Sequence, residues 1–373
     1  MLIGIDASRA VSRQPTGTEH YSLHLIRALA QIATPQHTLR LYLRDAPNAD
    51  ALPQGDSVEW RVLGPRRLWT HLGLAAELLR HPPDLLYVPA HVLPILTRVP
   101  SVATVHDLGF CHYPEAHTTA SRWYLAWSTR HNARQAAHLI VDSEATAHDL
   151  QHLLSVEPSK MTVAYPAGSG GIGPADEAQV RAARERHGLA GPYLIAVGTL
   201  HPRKNLELLV DAFGDLCDSR EAPPALRLVL AGKRGWMWEP LLARIEERGL
   251  ASRVVCTGYL DDGELSALLT GAVAMVMPSL YEGFGLPLLE AMACHLPAIS
   301  SNASSLPEVG GDAVLYVDPH DRNGWRRAMG RVLADADLRR SLVEKGQLQL
   351  ASFSWKRCAA TVLSVLEDVG GRG

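Results

Sequence analysis

Cysteine is scarce in this chain. The five present (Cys111, Cys217, Cys256, Cys294 and Cys358) are odd in number, scattered, and never spaced as C-x-x-C. That pattern argues against a disulfide framework and a cysteine zinc site, and fits a reducing cytosol. No sign of charge dominates: the net charge is −3, so no global basic field points to nucleic acid. Long apolar runs are missing as well. The opening MLIGIDASR meets an acid at Asp6 before any signal-peptide core can form, and no stretch reaches a bilayer span. The expectation is a cytoplasmic protein that could touch a membrane only from the side. Lysine is the last shortage, five against 31 arginines.

What remains is ordinary for a folded chain, with 47% hydrophobic and 20% charged residues. At 373 residues it exceeds the size at which one core stops growing, so two domains are expected. Short apolar runs alternate with helical patterns. Strands are expected at 2–6, 38–43, 85–88, 102–106, 139–141 and 161–164, then at 193–197, 226–230, 254–256, 274–277, 298–300 and 314–317. Such alternation predicts parallel sheets covered on both faces, an α/β chain of two doubly wound domains. PAGSGGIGPADEA (166–178) reads as the linker, and only helices follow Val317, ending with 355–369. The boundaries are placed at 1–170, 171–353 and a final helical piece, 354–373. Gly168, Gly170 and Gly173 spell G-x-G-x-x-G, but Pro166 interrupts the approach and no acid stands near 193. A dinucleotide site is therefore not expected there.

Ligands of open α/β sheets collect beyond the carboxyl ends of strands. One strand end runs into Gly198, then Arg203 and Lys204, then a helix near Asn205. Another runs into Gly232, Lys233 and Arg234. Glycine admits a ligand to the backbone and adjacent cations favour anions, so a diphosphate cradle is one reading and solvated loop cations the other. A third end holds SLYEGFGLPLLEAMA (279–293), with Glu282 in a loop and Glu290 early in a helix begun by Pro287. Carboxylates are rarely buried unless paired, so surface exposure competes with sugar-hydroxyl binding for both. A fourth end, SNASSLPE (301–308), carries a weaker signal before Glu308. Asp261-Asp262 reads as a helix cap, not a metal motif. No metal-ligand cluster is apparent anywhere in the chain.

YEGFGLPLLE resembles the E-x7-E element of the retaining family 4 glycosyltransferases, also called group 1, which have the GT-B fold. The likeness runs through IGIDASR with PTGTEHY, VATVHDL, VDSEATAHDL, VGTLHPRKNL, LAGKRGW, SSLPEVGGDA and a final FSW. It looks most like bacterial mannosyl- or rhamnosyl-transferases that build polysaccharides. The resemblance implies two Rossmann-like domains facing across a cleft, with the last helix returning to the first. It implies that Glu282 contacts hydroxyls of the donor sugar, Glu290 the ribose, and Arg203 with Lys204 the diphosphate. Backbone amides of Phe284, Gly285 and Leu286 would serve the sugar, and Gly198 would line the donor site. Gly17 would form a turn facing donor and acceptor, and His106 would lie beside the reacting sugar. Many relatives carry Arg directly after the first glycine, where this chain has Thr199.

The expected reaction is metal-independent transfer of a hexose from a nucleotide-diphosphate sugar, mannose from GDP-mannose foremost, onto a glycan or lipid-linked saccharide. No cofactor is expected beyond that donor. A nucleotide-sugar epimerase or hydrolase of the same fold is the enzymatic alternative, and a non-catalytic nucleotide-sugar-binding subunit the other. On the acceptor side, Arg122, Trp123, Tyr124, Trp127, Arg130 and Arg134 share one predicted helix, and PRRLWTHLGLAAELLRH (65–81) forms a second basic-aromatic segment. Both suit an anionic membrane surface, and both suit ordinary packing on the sheet.

Overall fold

The computed structural model describes residues 1–11, 17–46, 51–90, 92–219 and 222–371. Pro15 and Thr16 of the PTGTEHY stretch lie outside them. The chain divides into two compact units, one of residues 1–111, 119–167 and 353–373, the other of residues 112–118 and 168–352.

The first unit is a parallel sheet of β1 (Leu2–Asp6), β2 (Thr38–Leu43), β3 (Val58–Val62), β4 (Leu85–Val88), β5 (Ser101–Val105), β6 (His138–Val141) and β7 (Met161–Val163). Its order is β3-β2-β1-β4-β5-β6-β7. The central strands β4 and β5 are buried at every position, as helices on both faces require. β3 is the one strand not anticipated. Val58, Trp60 and Val62 alternate as a strand should, but at the sheet edge only one face gains cover. The final helix, Trp355–Gly370, belongs to this unit. Cys358, Ala359, Val362 and Leu366 follow helical spacing and join the core formed with Leu25, Ile26 and Leu29 of the helix Gly17–Ile32.

The second unit holds β8 (Tyr193–Val197), β9 (Arg227–Ala231), β10 (Val254–Gly258), β11 (Ala274–Met277), β12 (Ala298–Ser301) and β13 (Val314–Val317), all parallel, in the order β10-β9-β8-β11-β12-β13. The strand order reverses between β8 and β11, where Ala274 pairs with Leu194. A doubly wound sheet opens its ligand crevice at that reversal, beyond the strand ends. Residues 165–176 carry no strand and lead into the helix Glu177–Arg186, capped by Asp176 with Gln179 in a reciprocal capping box. Asp261 caps the helix Asp262–Thr270, accepting from Glu264 N at 2.9 Å.

Candidate functional site

At the end of β8 the backbone of Gly198 sits at φ +135, and a Cβ there would lie 2.9 Å from Cε of Lys204. Gly232, ending β9, is at φ +151, and its Cβ would come within 2.0 Å of the Gly198 carbonyl oxygen. The two loops then run side by side, Leu200 N donating to Lys233 O at 2.9 Å and Gly235 N to Leu200 O at 3.0 Å. Only a residue without Cβ permits this approach. Gly232→Ala is expected to lower the melting temperature, because the added Cβ meets the Gly198 carbonyl, as thermal denaturation would record.

Arg203 and Lys204 follow in a single 3-10 turn, Pro202–Lys204. Asn205 ends it at φ +55, and its amide donates to the carbonyls of Pro278 (3.2 Å) and Pro319 (2.7 Å). Leu280 N donates to Arg203 O at 2.9 Å. The loop after β8 is thus stapled to the loop after β11.

That second loop carries Glu282, 7% exposed. Its carboxylate accepts from Lys204 Nζ at 2.6 Å and from Arg203 Nη1 at 3.1 Å, so the surface reading fails for this residue. Arg203 Nη1 also donates to Tyr281 O at 2.5 Å. Burial alone would push the Glu282 carboxyl up, but the charges of Lys204 and Arg203 outweigh it and hold it at about 2. The backbone is fixed as well. Glu282 N donates to Ser304 Oγ at 2.8 Å, and Ser305 Oγ lies 2.9 Å from the carbonyls of both Glu282 and Phe284. These serines belong to the weak SNASSLPE signal. β12 pairs with β11, Met277 opposite Ser300, and that pairing brings them here.

Gly285, at φ +106, caps the helix Leu286–Ala293, with Pro287 in its first turn. Phe284 is buried, so its side chain is structural and only its backbone can meet a ligand. Glu290, half-buried, lies one turn into the helix. Burial, then the charge of Asp262, raises its carboxyl to about 7 against the pull of Lys204. Such a group favours folding fully below about 4.5, and that contribution is lost as pH rises through about 7. Glu290→Gln is therefore expected to gain stability relative to wild type above neutrality and gain none in mild acid, read as melting temperature against pH.

The segment 112–118 lies against these loops. His112 stacks on Tyr281 (ring centroids 4.9 Å apart), Tyr113 Oη donates to Leu280 O at 3.3 Å, and His117 faces His201 at 5.7 Å. The sequence reading, with its boundary at 170, contains no sign of this placement.

The first unit has its own polar cluster, at the ends of β4 to β6. His106 Nδ1 lies 2.6 Å from Asp142 Oδ2 and its Nε2 2.9 Å from Pro89 O, so both ring nitrogens are engaged. Burial disfavours the imidazolium, yet the Asp142 carboxylate raises its pKa overall. Tyr21 meets the ring edge-on at 4.8 Å. Asp107 accepts from Gly109 N at 2.8 Å and caps a turn. Gly17 is exposed at the start of its helix.

Two family models match the chain in tandem: "Glycosyltransferase Family 4" over residues 15–167 and "Glycosyl transferases group 1" over residues 180–349. The chain belongs to the family 4, group 1 glycosyltransferases. It is 29% identical to O-antigen chain mannosyltransferase B of Escherichia coli over 96% of this chain and 98% of that protein. It is 36% identical to the serotype-specific mannosyltransferase WbdA of Escherichia coli over 48% of this chain, a stretch that is only 22% of that relative. Among solved structures, sucrose-phosphate synthase of Thermosynechococcus elongatus aligns over 100% of both chains with a TM-score of 0.78 at 21% identity. WaaG, a glycosyltransferase involved in lipopolysaccharide biosynthesis, aligns over 98% of this chain and 99% of that one, with a TM-score of 0.72 at 16% identity. The fold is GT-B.

For a glycosyltransferase, the second unit offers two fixed cations and a fixed anion at the mouth of its strand reversal.

Proposed function

We propose that this glycosyltransferase moves a hexose, mannose from GDP-mannose, with retention of configuration, onto a glycan or lipid-linked saccharide in polysaccharide synthesis. The observation that carries the reading is the Lys204–Glu282–Arg203 cluster, its carboxylate buried, with Nζ 2.6 Å and Nη1 3.1 Å from it. Arg203 and Lys204 take the charge of the leaving diphosphate in place of a divalent ion. Glu282, held ionised, steadies the sugar through its hydroxyls. Glu290 accepts from the ribose hydroxyls, Gly198 lets the backbone approach the phosphates, and the amides of Phe284, Gly285 and Leu286 donate to the sugar. On the first unit, Gly17 and His106 are sugar-side contacts, His106 through its ring and backbone because both nitrogens are already bonded.

In the transfer step the bond from anomeric carbon to phosphate oxygen breaks, and the acceptor oxygen bonds on the same face. The departing phosphate takes the acceptor's proton. A glycosyl ester trapped on Glu282 would overturn that step. Similarity to O-antigen chain mannosyltransferase B across 96% of the chain supports the choice of mannose. A thermal-shift panel of GDP, UDP, ADP and dTDP with their sugars tests the donor. At about 100 times its dissociation constant a ligand stabilises by about 2.7 kcal/mol. GDP and GDP-mannose are expected to give the largest shifts, and a larger shift from another nucleotide would replace the donor.

A further inference from the structure

Two neighbouring serines beyond β12 break local preference. Ser304 sits at φ +47, a left-handed conformation that strains any side chain and suits glycine or asparagine. Ser305 precedes the helix Leu306–Gly310 in helical φ/ψ (−75, −9), and its side chain makes no cap bond. Serine is favoured at that position for the very bond it forgoes. Adjacent violations of this kind mark a functional or strained site with a compensating gain elsewhere.

The gain lies in the loop after β11. Ser304 Oγ accepts from Glu282 N at 2.8 Å and donates to Glu282 O at 2.9 Å. Ser305, fully buried, places Oγ 2.9 Å from the carbonyls of both Glu282 and Phe284. Leu306 completes the grip, since a Cβ on Gly285 would come within 2.7 Å of its Cδ2. Three consecutive residues thus hold the backbone at 282, 284 and 285. Arg203 and Lys204 hold the Glu282 carboxylate, so that side chain is fixed at both ends. A trans peptide carries its C=O and N–H on opposite edges. With the Phe284 carbonyl turned to Ser305, the Gly285 N–H of the same peptide faces away from the serine.

We propose, resting on the reading of Glu282 as the acid that steadies the sugar, that Ser304 and Ser305 are positioning residues for transfer. They aim the Glu282 carboxylate and the Gly285 amide at the donor sugar and leave the diphosphate to Arg203 and Lys204. A misplacement of about 1 Å at a reacting centre can cost about a hundredfold in rate.

The test follows GDP released from GDP-mannose by Ser304→Gly, Ser304→Ala and Ser305→Ala, at a temperature where melting curves show each folded. Each is expected to lower kcat about tenfold or more, with KM for the donor within about twofold of wild type. Ser304→Gly and Ser304→Ala remove the same hydroxyl, but only glycine relaxes the backbone. Equal losses of kcat are therefore expected from the two, despite a lower melting temperature for alanine. A kcat that ranks with melting temperature would mean a packing role and overturn the proposal. So would unchanged kcat, or a KM that rises as far as kcat falls. Added to Glu282→Ala, Ser304→Gly should cost less than about twofold more, because it acts through that carboxylate. Full additivity would overturn the assignment of Ser304. Undiminished turnover of Glu282→Ala alone would overturn the reading of Glu282, and this proposal with it. Hydrogen exchange needs no donor. The Glu282 amide should exchange about tenfold faster in Ser304→Gly than in wild type. Unchanged exchange would overturn the proposal even if another nucleotide sugar proves to be the substrate.

Discussion

Glu282→Ala is expected to reduce turnover by about two orders of magnitude or more while nucleoside diphosphate still binds. The carboxylate touches both cations, Lys204 Nζ at 2.6 Å and Arg203 Nη1 at 3.1 Å. Its removal leaves partly buried positive charge uncompensated, which costs up to about 3 kcal/mol in the free protein. A bound diphosphate restores the balance. The melting-temperature gain on adding nucleotide should therefore be larger in the variant than in wild type, even as transfer is lost. Glu282→Gln, which keeps the shape, should show the same loss of turnover. Unchanged turnover, or loss of nucleotide binding as deep as in the cation variants, would contradict the assigned role.

The double variant Arg203→Ala/Lys204→Ala is expected to lose nucleoside diphosphate binding altogether. It also unbalances the site in the opposite sense. Glu282 has a folded pKa of about 2 against 4.5 unperturbed. A depressed carboxyl adds stability above about 4.5 that disappears as pH falls through about 2, and the difference is worth about 3 kcal/mol. Without its cations the buried carboxyl shifts upward instead. The variant's deficit should thus be largest at neutral pH and shrink in acid, as melting temperature against pH would record. A deficit independent of pH would mean that Glu282 does not depend on these two residues.

Much of the fold was legible because parallel strands buried on both faces leave short apolar runs that nothing else in the chain imitates. Twelve of the strands stand where those runs lie, while β3 went unread although its alternation is plain. The site was harder to read, because its contacts join distant segments. Glu282 and Lys204 are 78 residues apart, and only the adjacency of β8 and β11 unites them. Spacing alone left Glu282 between surface and site; the motif resemblance favoured the site. Asp142 shows the limit. It meets His106 because Val105 and Val141 are opposite one another in the β5–β6 ladder, a register no motif announces. The stacking of His112 on Tyr281 likewise joins residues 169 positions apart without a local signal.

Calorimetric titration of chelator-treated protein with GDP tests the central claim most directly. Binding without added metal in wild type, absent from the Arg203→Ala/Lys204→Ala variant, is the predicted result. Equal affinity in the two proteins, or heat that appears only when magnesium or manganese is supplied, would contradict it.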